Sequence, residues 1–226
     1  MLGIQTLQAS VDNIRFENID PDSGLSQQSV ISIFQDSKGY MWFGTQEGLN
    51  KYDGINFTVY QPKYNDSDAI SSGWITSIAE DKKGNIWIIT DIGLDKFNPK
   101  IQTITNLNFN YKFSIGTINS IEEDDDNFIW LSTSTGVHRL NPIDNSIIEF
   151  GVETALGNNI YNPKAALKLS DGRIIFGGVH SFSIIVPEQL QLNNNKANPV
   201  FTDLKIENKS FKKMKNRITI LSILTL

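Results

Sequence analysis

Apolar positions along this chain fall in short alternating runs, and no segment keeps a 3.6-residue apolar period for ten residues. The pattern predicts short strands joined by tight turns, and no long helix. One set of strands is expected at residues 30–34, 40–45, 49–52 and 57–60. The first strand recurs at 75–78 and 118–121, and the fourth at 101–104 and 147–150. Turns at Gly48, Gly93 and Gly136 lead into the third strand of each set. In the second strand Trp42 and Gly44 share one face, and Met41 and Phe43 the other. Both faces are apolar, so each sheet is expected to be covered on both sides.

Trp42, Trp87 and Trp130 are 45 and 43 residues apart. Each follows an acidic turn, Asp36 to Gly39, Asp81 to Gly84, and Asp124 with Asn127 in the glycine position. A weaker fourth copy runs from Ser170 to Gly178 and includes Gly172 and Gly177, with Gly172 45 residues past Asn127. The aspartate can accept a backbone N–H two residues on, glycine supplies the positive φ that closes the turn, and asparagine is the next best residue for it. A fixed period of this size marks a repeat architecture, and four short strands per period make the blade of a β-propeller. The expected fold is all-β, about four four-stranded blades, as a small closed ring or an open partial propeller. The periodic tryptophans then lie between sheets as core.

The propeller is expected to span residues 14–188, after a tail at 1–13 and before a polar linker at 189–199 and the start of another unit at 200–226. The fourth copy lacks a fourth strand of its own. Residues 14–16 are expected to complete its sheet and join the two ends of the chain. An array left open would instead expose apolar blade faces, suited to self-association as a homodimer or to another partner.

Composition narrows the function. The 25 acidic and 20 basic residues give a net charge of −5, which argues against a nucleic-acid partner. Cysteine is absent, so there is no disulfide framework and no thiol chemistry. The apolar run at 218–226 is short of the roughly 20 residues that a membrane helix needs.

Candidate binding residues come from the loops between strands. Trp74 lies just before an inner strand, where connecting loops surround the channel mouth, and it is the tryptophan expected to meet a ligand. Ser29, Thr117 and Asn162 are read as its counterparts in the other blades. Gln46, Glu47, Asp91 and Ser134 are expected on the same end. Amides, hydroxyls, two carboxylates and an indole suit a saccharide or other small polar ligand, and suit a protein surface equally well. The run Asp124 to Asp126 invites a calcium reading, but it occupies the repeat's own turn and is expected to be a solvated turn. His138 and His180 hold non-equivalent repeat positions, so no metal pair is expected. No residue pair stands out for catalysis, so the expectation is a non-enzyme without a cofactor, with a carbohydrate-active propeller enzyme as the lesser alternative.

Specific residues carry a family likeness. Gly24-Leu25-Ser26, Gln35-Asp36, Gly39, Trp42-Phe43-Gly44-Thr45, Gly48-Leu49 and Tyr52-Asp53-Gly54 together resemble the two-component regulator propeller repeat. Residues 170–178 and 198–206 resemble the last blade of that sensor region and its entry into a three-tyrosine immunoglobulin-like domain. The likeness implies a non-catalytic periplasmic sensor region. In that family it is followed by a membrane helix and a histidine kinase or diguanylate cyclase, and glycan fragments are frequent ligands. With about four repeats where the family has about fourteen, and an aberrant tail, the chain resembles a truncated sensor.

Overall fold

A computed structural model describes residues 18–107, 116–150 and 160–190, together with the backbone of 205–206 and 209–210. The chain divides into two compact units, Met1–Gln189 and Leu190–Leu226. In the second unit a short antiparallel hairpin pairs β16 (Lys205–Ile206) with β17 (Lys209–Ser210).

The first unit is a four-blade β-propeller. Blade 1 holds β1 (Ser32–Gln35), β2 (Met41–Gly44), β3 (Leu49–Tyr52) and β4 (Phe57–Tyr60), paired in chain order. Blade 2 holds β5 (Ile75–Glu80), β6 (Ile86–Thr90), β7 (Leu94–Asn98) and β8 (Thr103–Leu107). Blade 3 holds β9 (Ile118–Glu123), β10 (Ile129–Thr133), β11 (Gly136–Leu140) and β12 (Ile147–Phe150). Blade 4 has three strands among the described residues: β13 (Tyr161–Lys168), β14 (Ile174–Gly178) and β15 (Phe182–Ile185). The first strands of all four blades line a central cavity of 210 Å³. Residues 14–16, expected to complete blade 4, lie outside the described residues.

The acidic turn has the predicted chemistry three times over. Asp36 Oδ1 accepts from Lys38 N at 3.0 Å and Tyr40 N at 2.9 Å. Its other oxygen accepts the Trp42 indole N–H at 2.8 Å. Asp81 does the same for Lys83, Asn85 and Trp87, and Asp124 for Asp126, Phe128 and Trp130. One buried carboxylate thus closes the turn and fixes the ring six residues on. Gly39, Gly84, Asn127 and Gly172 take φ of 88°, 80°, 64° and 84°, so Asn127 does adopt the glycine conformation.

Trp42, Trp87 and Trp130 are fully buried. Trp42 packs with Ile78, Ile86, Ile88 and Phe97 of blade 2, and Trp87 with Ile118, Ile129 and Leu131 of blade 3. Close approach sets glycine at position 44, because a Cβ there would stand 2.7 Å from Ile75 Cγ2 across the blade interface.

A second set of contacts joins each turn to the next blade. Ser37 donates from N and Oγ to Glu80, at 2.7 and 2.8 Å. Lys82 N donates to Glu123 at 2.7 Å. Between blades 3 and 4 the polarity reverses: Asp125 Oδ1 accepts from Lys168 Nζ at 2.7 Å and from Lys82 Nζ at 3.1 Å. The two ammonium groups hold the Asp125 carboxyl below the usual range, Lys168 contributing most. Lys168→Glu should lower the urea midpoint, and adding Asp125→Lys should recover part of the loss. The recovery should shrink in high salt, because the pair is solvent-screened. An unchanged midpoint in Lys168→Glu would show that the latch contributes nothing.

Candidate functional site

Thr45, Thr90 and Thr133 share one position in blades 1 to 3, and each shapes the loop between the second and third strands. Their hydroxyls donate to the carbonyls of Gly48, Gly93 and Gly136 at 3.0, 3.2 and 3.1 Å. They also accept loop N–H groups from Glu47, Ile92 and Thr135. Such hydroxyl turns fix short loops without help from a core. They hold out Gln46 and Glu47, Asp91 and Ile92, and Ser134 and Thr135. The 45- and 43-residue steps already tie these threonines together in the sequence, although nothing there singles them out.

The lead-in to each inner strand packs onto these loops. Gly48 N donates to Gly73 O at 2.9 Å, which joins blade 1 to the 71–74 segment. Asp91 N donates to Trp74 O, Ser134 N to Thr117 O and Val179 N to Ile160 O. These three bonds make Trp74, Thr117 and Ile160 equivalent, at even steps of 43 residues. The expected counterpart in blade 4, Asn162, therefore sits two residues further along, inside β13. The shift goes with a bulge in β13, where pairing jumps between Tyr161 and Ala166 and Lys164 has a φ of 59°.

The predicted residues fall into two clefts. Gln46, Glu47, Gln61, Pro62 and Gly73 line one of 430 Å³ between blades 1 and 2. Asp91, Thr117 and Ser134 line one of 340 Å³ between blades 2 and 3. Trp74, 47% exposed, sits between them: its neighbour Gly73 borders the first, and its carbonyl holds Asp91 of the second. The Ser134 hydroxyl accepts Thr117 N at 3.0 Å. Asn162 is exposed and belongs to neither cleft; its carbonyl accepts from Ser120 Oγ at 3.3 Å.

Buried polar groups hold the mouth from below. Asn50, Asp95, His138 and Ser183 take one repeat position, all on third strands and all buried. Asn50 binds Ser26 through N–H and hydroxyl, and Asp95 binds Ser71 in the same way. The first serine opens blade 1 and the second leads into blade 2. Burial pushes the Asp95 carboxyl up to about 6 against two opposing bonds from Ser71. Burial also drives the His138 imidazole below its usual range, with Glu149 acting the other way. In the central cavity Lys164 Nζ donates to Ile31 O at 2.7 Å, which ties blade 4 to the lead-in of blade 1.

Among the described residues no group of acidic residues and histidines is arranged to hold a metal ion. The Asp124 carboxylate is used by its turn and by Trp130, and Arg139 approaches it at 3.5 Å. This residue is fully buried, so the expected solvated turn holds for Asp125 and Asp126 but not for Asp124, whose carboxylate is taken up by these bonds. No helix among the described residues is long and apolar enough to cross a membrane.

Fold and site together define a propeller whose loop end carries shallow polar clefts around an exposed indole. The sequence model of the two component regulator propeller matches residues 24–47 and 69–91. A 66-residue stretch is 47% identical to histidine kinase P4 of Formosa agariphila, covering 29% of this chain and 5% of that kinase. The fold is similar to the extracellular domain of the hybrid two component system BT3049 from B. thetaiotaomicron, with a TM-score of 0.64 and 24% identity, over 76% of this chain and 25% of that one. It is also similar to virginiamycin B lyase from Staphylococcus aureus, with a TM-score of 0.54 and 17% identity, over 70% of this chain and 53% of the lyase. The chain thus spans only a small part of its sensor relatives, and the lyase shows that the same fold also carries an enzyme.

Proposed function

We propose that this chain is a non-catalytic, extracytoplasmic ligand-sensing propeller module that takes a saccharide or similar small polar ligand at its loop end. The observation that carries the reading is the exposed Trp74 set between two clefts with Glu47 and Asp91 on either side. An indole face covers the apolar side of a sugar ring, while carboxylates and amides accept and donate to its hydroxyls. The repeat type supports a sensor over an enzyme, since fold alone does not choose between them. In a longer sensor, ligand binding would shift the balance between propeller packings and so bias an output domain.

Titration calorimetry with a panel of neutral and acidic oligosaccharides tests this. Trp74→Ala should weaken the best binder at least tenfold and leave the thermal midpoint unchanged. Binding that is indifferent to Trp74→Ala would remove the site, and glycan turnover by the purified chain would replace the sensor with an enzyme.

A second reading, an interaction scaffold acting through blade faces, is favoured by the uncovered apolar ends of the array.

A further inference from the structure

Each blade has two faces, and the strand register defines them. On the face turned to the following blade, one cross-strand row reads Phe34, Trp42, Lys51 in blade 1, Ala79, Trp87, Lys96 in blade 2, and Glu122, Trp130, Arg139 in blade 3. The cation lies over its tryptophan in all three. The same row in blade 4 is Leu167, Ile175, Ile184. Tryptophan and cation are both replaced by aliphatic residues, and Leu169 stands where the turn aspartate was. This face is uncovered: Leu167 is 57% and Ile184 44% exposed.

The opposite face is turned to the preceding blade. Its row has Ile78 and Ile88 in blade 2, Ile121 and Leu131 in blade 3, and Ala166 and Phe176 in blade 4. Ile88, Leu131 and Phe176 are fully buried there. The blade 1 counterparts are Ile33 and Phe43, in register with Val59. Ile33 is 64% exposed and Phe43 only half-buried. At the first internal interface Phe34 and Ile78 pack in one cluster, and at the second Ala79 and Ile121 do. By the repeat, the third pair is Glu122 with Ala166, and the fourth, which would follow blade 4, is Leu167 with Ile33.

We propose that the uncovered face of blade 4 docks on the uncovered face of blade 1 of a second copy, so that two copies associate head to tail. The chain carries both halves of the interface it uses internally, and the two rows hold no charged side chain that burial would strip of water. Each contact joins different patches on the two partners, and two such contacts close the pair, so association stops at two copies. The inference specifies the scaffold reading and is independent of ligand sensing, because Trp74 lies on neither face.

The test is the mass of the purified chain by light scattering across a concentration series. Wild type should double its mass, while Leu167→Asp and Ile33→Lys should each remain monomeric with unchanged circular dichroism. Mixing the two variants should restore the doubled mass, since the mixture holds one wild-type contact and one Asp–Lys contact. A two-fold symmetric pairing of like faces would not recover on mixing, and that result overturns the proposal. So does a wild type that stays monomeric at 100 μM, which would leave these faces to a different partner and leave saccharide binding at Trp74 untouched.

Discussion

Alanine at Trp87 is expected to cost about 3–5 kcal/mol of folding stability, the range for deleting a large buried aromatic side chain. The ring is fully buried and packs with Ile89, Ile118, Ile129 and Leu131, so its loss opens a cavity across the interface of blades 2 and 3. Its N–H also satisfies the buried Asp81 carboxylate at 3.0 Å. Trp87→Phe separates the two effects: it keeps most of the packing and loses the bond, and about 1–2 kcal/mol is expected for that alone. Asn85 Nδ2 still reaches the same oxygen at 2.8 Å and limits the damage. Urea unfolding followed by circular dichroism measures both. A loss below about 1 kcal/mol in Trp87→Ala would mean that this interface is not a main source of stability.

Asparagine at Asp95 is expected to stabilise the protein at pH 8 by on the order of 2 kcal/mol, and to do little at pH 4. The folded carboxyl is pushed up to about 6 by burial, from an ordinary value of 3.8. The folded state therefore binds the proton more tightly than the unfolded one. Stability is greatest below pH 4 as far as this group is concerned, falls as the pH rises from about 4 to about 6, and is level above that. An amide has no charge to desolvate, and Asn50 already plays this part in blade 1, accepting Ser26 N at 2.8 Å and donating to Ser26 Oγ at 2.8 Å. Unfolding curves of both proteins from pH 4 to 8 should converge at the acid end and separate as the pH rises from about 4 to about 6. Parallel curves would show that Asp95 titrates as an ordinary carboxylate.

The acidic turns and the buried tryptophans were legible because their chemistry is local. Asp36, Lys38, Tyr40 and Trp42 lie within seven residues, so spacing and residue type already contain the geometry. Strands β3, β4 and β12 begin and end where the alternation places them. The fourth strand of blade 2 was expected at 101–104 and begins at Thr103, since Gln102 turns with a φ of 55°. Asn162 was misaligned with Trp74 because the bulge at Lys164 shifts the register inside β13. Hydropathy does not record such an insertion, and only the pairing with β14 reveals it.

Period, turn chemistry and the alternation of apolar residues were thus set by the sequence itself, since each depends on neighbours within a few positions. The tertiary structure decided what depends on residues from different blades. It split the loop residues between two clefts, because Gln46 and Glu47 meet Gly73 while Asp91 meets Thr117. It turned Lys168 onto Asp125 where the earlier interfaces use glutamates. It buried Phe176 and left its counterpart Phe43 half-covered, because one faces a preceding blade and the other does not. Burial is a property of what stands opposite, and a repeat makes its members alike in sequence while their places in the array keep them different.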